Sequence, residues 1–246
     1  LTGLPMAHGR SEGAGGGAVA GMPLADLRRR VGDVSQVVSI RDVRLGDGNE
    51  DGVRALDVRV TGGLSALVLL DRGMDLGPAW VAGHQVSWQS PTGIVHPAHF
   101  DETNWLRSFH GGLLTTCGLQ NVGPACVDQG VAHGIHGRIS NIPARNVTHR
   151  VVTGGGRWVV EVTGEVRETD VYGADLVLRR RLRFPMGEPV VGIHDEVENL
   201  GFEPAGLIDT ATTDVEGNYA LVGYGAGQYT VVQSPPRKAA RTRHAA

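Results

Sequence analysis

Aromatic side chains make up only 5% of this 246-residue chain, and it holds two cysteines. No apolar run approaches the roughly 18 residues that a bilayer span requires. Each shortage removes a class of function. Scarce aromatics and a formal net charge of -3 argue against a nucleic-acid partner, which calls for a broad basic patch interleaved with stacking rings. The basic runs present are Arg28, Arg29 and Arg30, the RRRLR stretch from Arg179, and Arg237, Lys238, Arg241 and Arg243. They read as solvated surface or tail. Cys117 and Cys126 allow one bridge at most, and nothing else indicates an oxidising compartment, so both read as thiols. No charged start leads into an apolar block, so the expectation is a cytoplasmic protein without a membrane partner. There is no G-x-S-x-G elbow for a serine nucleophile. Gly111 and Gly112 are followed by neither lysine nor helical pattern, so they are not a phosphate loop; that weakens a nucleotide site, and no cofactor is expected.

What the chain does have is short runs of valine, leucine and isoleucine between glycine-bearing turns, the texture of an all-β protein. Strands are predicted over 34–44, 53–61, 64–71, 147–153, 157–167, 172–184 and 190–198, with a tight turn at the TGG of 61–63. In LVLRRRLRF, Leu176, Leu178, Leu182 and Phe184 share one face while Arg179, Arg181 and Arg183 share the other. Arg180 breaks the apolar face, which calls either for a buried carboxylate partner or for a bulge. The domain reading is a flexible leader over 1–30 with one helical turn near 24–30, a β-sandwich over 31–206, a hairpin over 207–233 and a disordered basic tail over 234–246.

The segment 71–146 is less regular and dense in Gly, Pro, His, Trp and Asn, and long irregular segments in β proteins are where ligands are met. In VAHGIHGRIS, His133 and His136 would point to opposite faces of a strand, so chelating one metal ion needs a turn around Gly134. His110, Cys117, Cys126 and Asp128 would be further ligands in that reading. The alternatives are an ordinary turn and a contact with a polar ligand, the last favoured because glycines let backbone approach a ligand. SFHGGLLTTCGLQNVG joins Leu113 and Leu114 to a polar run with Thr115, Thr116 and Asn121, and reads either as a buried strand with a glycine bulge or as part of a site. In LDRGMDLG, Asp71 and Arg72 flank a turn and Asp75 follows, with Arg72 either a surface cation or a donor aimed into a site. Trp80, Trp88 and Trp105 each read as core before sugar platform.

LDRGMDLGPAWVAGHQVSWQSPTG, SFHGGLLTTCGLQNVG and HGIHGRISNIPA, in this order and spacing, resemble the aldose 1-epimerase-like family of galactose-mutarotase-type proteins, in its DUF4432 branch, over about 34–204. The resemblance implies a large antiparallel β-sandwich, the galactose mutarotase-like supersandwich, and a monosaccharide or sugar derivative as partner. It also implies a reaction in which an acid protonates the ring oxygen and a base deprotonates the anomeric hydroxyl. By the same resemblance His136 with Arg138 contacts the sugar, Arg72 and Asp75 lie near its hydroxyls, and Asn121 joins them. The family's acid histidine and basic glutamate have no matching positions, so no catalytic residue is assigned; Asp195, Glu196, Glu198 and His194 stand as unselected substitutes. From 208 to 232 the sequence instead resembles the end of a carboxypeptidase regulatory-like repeat, with a turn over 214–218. The expectation is therefore a C-terminally truncated sandwich, with an unpaired sheet edge that invites homo-oligomerisation, acting as an epimerase or as a non-catalytic carbohydrate-binding or assembly module.

Overall fold

The structure is a computed structural model that describes residues 22–128, 130–154 and 157–201, and residues 227–230 as backbone. Antiparallel β-structure dominates it. The first sheet runs β1 (Val38–Arg44), β2 (Arg54–Val60), β3 (Leu64–Leu69), β4 (Asp75–Val81) and β5 (His84–Gln85), in sequence order. The TGG turn joins β2 to β3, with the Gly63 N–H donating to the Val60 carbonyl. Two small ribbons follow, β6 (Trp88–Gln89) with β7 (Gly111–Gly112) and β8 (Cys126–Asp128) with β9 (Val131–His133). The second sheet runs β10 (Arg145–Gly154), β11 (Arg157–Thr169), β12 (Asp175–Pro185), β13 (Gly192–Asn199) and β14 (Gly227–Thr230), again in sequence order.

The sheets face each other across one core. Val58, Val60, Ala66, Val68 and Leu76 of the first sheet share a cluster with Val160, Val162, Val166, Leu178, Leu182 and Phe184 of the second. Each large aliphatic side chain buried there contributes about 1.5–3 kcal/mol. Gly164 marks a close approach between layers, because a Cβ added to it would lie 2.5 Å from the Met74 sulfur.

The predicted strands are present, with bounds shifted by a few residues. The sequence reading missed β4, whose Gly77 and Pro78 obscure the alternation. Residues 34–36, assigned to a strand, form a 3-10 turn because the Asp33 carboxylate accepts the Ser35 N–H and Gln36 caps back. Over 22–30 the helical turn expected near 24–30 is present, and it packs on the core where a flexible leader was expected. Helix α1 (Leu24–Arg28) places Leu27 in the core at 1% exposure, and Trp158 Nε1 donates to the Met22 carbonyl at 2.9 Å. Residues 1–21, the turn of 214–218 and the tail of 234–246 lie outside the described residues. Of the segment 207–233, only β14 is described, paired with β13 from Glu196 to Asn199.

Candidate functional site

The irregular segment is anchored by the turn after β3. Arg72 is 1% exposed, and its Nε, Nη1 and Nη2 donate to the carbonyls of Ser140, Val95 and Ser108 at 2.8, 2.7 and 2.8 Å. Burial lowers its pKa to about 10. The geometry gives no support to the sugar contact expected of Arg72: its enclosed guanidinium ties three loop segments to the first sheet. It has that role because three inward carbonyls would otherwise be buried without donors.

Asp75 is likewise enclosed, at 0% exposure. Its carboxylate accepts the Thr116 N–H at 3.0 Å and the Thr116 hydroxyl, and it pairs with Arg180 at 3.1 Å. Burial raises its pKa against the pull of Arg180. Asp75 therefore organises the strap 116–121 and is not placed to reach a sugar hydroxyl. The other end of this strap is held by Glu168, which accepts from Leu119 N at 2.8 Å and Gln120 Nε2 at 3.3 Å. Burial raises the Glu168 pKa as well.

Over this strap folds the HGIHGR turn. His136 takes φ +57 and Gly137 φ +65; a Cβ at 137 would lie 2.4 Å from the Gly118 carbonyl oxygen, and one at 134 would lie 2.6 Å from that of Glu102. These glycines make room for neighbouring backbone, where the sequence suggested room for a ligand. His136 Nδ1 accepts the Gly123 N–H at 3.2 Å, its ring meets Trp105 edge-on at 4.8 Å, and burial lowers its pKa. Asn121 Nδ2 donates to the carbonyls of Gly134 and Pro124 at 2.7 and 3.1 Å. Both side chains brace the turn.

The turn and the strap leave a cleft of about 150 Å³, lined by Phe100, Glu102, Gln120, His133, Arg138 and Glu168, with Asp170 at its rim. Arg138 is central, with carboxylates of Glu102, Glu168 and Asp170 at 3.4, 3.5 and 3.3 Å. Burial works against its charge, but the three acids outweigh it and its pKa is raised. Of the five residues named from sequence, Arg138 lines the cleft, Asn121 and His136 brace the turn that walls it, and Arg72 and Asp75 are buried.

Glu168 escaped the sequence reading although a signal was present. It shares the strand parity of Val160, Val162 and Val166, and a glutamate on an apolar face needs donors. His110 appeared only as an extra metal ligand. It is 2% exposed, both ring nitrogens lack partners, and burial together with the Arg72 charge lowers its pKa to about 3. No three His, Cys, Asp or Glu side chains converge for a metal ion among the described residues. Trp105 is core at 4% exposure, while Trp88 is 60% exposed. Among the unselected substitutes, Asp195 is bound to Arg180, Glu198 to Arg179, and His194 pairs with Glu196 at 3.1 Å. No described helix is long and apolar enough to cross a membrane.

A candidate aldose 1-epimerase from Klebsiella pneumoniae subsp. pneumoniae superposes with a TM-score of 0.62 at 26% identity, over 68% of this chain and 44% of that one. Galactose 1-epimerase from Lactobacillus acidophilus NCFM gives a TM-score of 0.41 at 16% identity, over 66% of this chain and 49% of that one. This chain thus spans less than half the length of either protein. No curated protein matches it. The fold is aldose 1-epimerase-like. The family model described as "Domain of unknown function (DUF4432)" matches residues 50–208, and the chain belongs to that family.

Proposed function

We propose that this chain binds a free monosaccharide in the cleft around Arg138 and interconverts its anomers. The observation that carries the reading is one guanidinium flanked by three carboxylates at the wall of a polar cleft, in a fold shared with a candidate aldose 1-epimerase. Carboxylates and a guanidinium grip adjacent hydroxyls in paired hydrogen bonds, and Phe100 offers a ring to the C–H face of a sugar. Anomer exchange needs a proton delivered to the ring oxygen and another removed from the anomeric hydroxyl. Of the three carboxylates on this guanidinium, Glu102 and Asp170 reach solvent and supply the acid and the base, while Glu168, 1% exposed, positions Arg138. Polarimetry of freshly dissolved aldoses tests the reaction. Decay faster than buffer, slowed by Glu102→Gln and Asp170→Asn, is expected; a broad panel with no acceleration contradicts it.

A non-catalytic carbohydrate-binding module is the second reading. It is favoured by the lack of positions matching the family's acid histidine and basic glutamate. Saccharide binding by calorimetry without polarimetric acceleration selects it.

A further inference from the structure

The outward face of the second sheet carries charge in registered rows, and one row differs from its neighbours. Across β10, β11, β12 and β13, Arg150, Glu161, Arg183 and Gly192 lie side by side, then Thr148, Thr163, Arg181 and His194, then Arg145, Glu165, Arg179 and Glu196. In the first row Glu161 is held by Arg150 at 2.7 Å and by Arg183 at 3.6 Å. In the third, Arg179 pairs with Glu165 at 3.3 Å and with Glu198 of the next row. The middle row carries a cation and no carboxylate of its own, while the charge of Arg181 acts on Glu161 of the first row. Arg181 is exposed, with Thr163 across one ladder and His194 across the other, and among the described residues it has no ion-pair partner.

A cleft of about 270 Å³ opens over this row, lined by Asn146, Thr163, Glu165, Arg179, Arg181, His194 and Glu196. Its two carboxylates are engaged: Glu165 accepts from Asn146 Nδ2 at 2.9 Å and pairs with Arg179, and Glu196 meets His194 Nε2 at 3.1 Å. Their remaining lone pairs accept hydroxyl donors. One guanidinium that closes no ion pair among the described residues, set between hydroxyl acceptors, suits a ligand that carries a single anionic group and several hydroxyls. An uncharged sugar leaves the guanidinium unmatched, and a bare oxyanion leaves the carboxylates facing it.

We infer that this sheet face is a second binding site, separate from the Arg138 cleft, for an anionic monosaccharide whose carboxylate or phosphate sits on Arg181 and whose hydroxyls reach Glu165, Glu196 and Thr163. The site does not depend on the function proposed above, because it shares no lining residue with the first cleft.

Calorimetric titration with glucuronate, glucose 6-phosphate, glucose and inorganic phosphate tests it, in the full chain and in the variants Arg181→Ala and Arg138→Ala. Arg181 is solvent-facing, so its replacement leaves the core intact. One or both sugar anions bind; affinity drops about tenfold or more in Arg181→Ala, is unchanged in Arg138→Ala, and weakens with added salt. Uronate without phosphate-ester binding, or the reverse, identifies the source of the anion. The inference is overturned if neither sugar anion binds, if Arg181→Ala leaves affinity unchanged, if Arg138→Ala abolishes it, or if inorganic phosphate binds as tightly as both.

Discussion

Arg180 Nη1 lies 3.1 Å from Asp75 Oδ1, joining residues 105 apart in sequence, while the other side of the same guanidinium grips Asp195 at 2.9 and 2.7 Å. The arginine is 3% exposed. It connects the turn before β4 to the middle of β12 and to β13, and through Asp75 it reaches the strap that floors the first cleft.

Replacing Arg180 by methionine keeps much of its volume and strands Asp75 in the core and Asp195 at its edge. The expected loss is about 3–5 kcal/mol in urea unfolding, the cost of breaking a buried pair from one side. Arg179→Met, on the exposed face one position away, should cost about 1 kcal/mol or less. Equal losses for the two variants would show that the internal pair does not brace the sandwich.

His110 predicts an acid sensitivity. Its folded pKa, about 3, lies below the ordinary 6.5, so the unfolded chain binds the proton first as pH falls. The stability from keeping it neutral is complete above pH 6.5 and is lost on acidification toward pH 3, at up to about 1.4 kcal/mol per pH unit. Asp75 and Glu168 have raised values and act with the opposite sign, losing stability as pH rises through their window. Comparing urea midpoints across pH in the wild type and His110→Phe isolates the histidine: the variant should be flatter between pH 6.5 and 3, and parallel curves would contradict the assignment.

Gly137→Ala tests the wall of the first cleft. The residue has φ +65, and the new methyl group would meet the carbonyl oxygens of Gly118 and Asn121 at 2.4 and 3.0 Å, neither of which is the end of a flexible side chain. Saccharide affinity should drop about tenfold or more while the core transition shifts by about 1–3 kcal/mol. Unchanged affinity would separate the turn from the site.

Much of the fold was legible because half-buried strands alternate, as LVLRRRLRF does over Leu176 to Phe184. Arg180 interrupted that alternation and left two explanations open. The structure selects the carboxylate partner, with the register of β12 continuous on both sides. That Asp75 was one of the partners was not legible, since nothing local to either residue encodes a contact so distant. Arg72 misled for a related reason. An Asp-Arg-Gly turn looks like surface, and only the three carbonyls converging from 95, 108 and 140 make an interior position favourable. Arg138 was legible by resemblance, whereas its partners Glu102, Glu168 and Asp170 come from two other segments that alternation alone does not bring together.

Calorimetry of the wild type against Arg138→Ala, over a panel of free aldoses, tests the central claim most directly. The account predicts saturable binding of at least one sugar, lost in the variant, which still unfolds in one cooperative transition although removing the partner of buried Glu168 lowers its stability. Equal affinity in the variant, or no binding across the panel by a folded wild type, would contradict it.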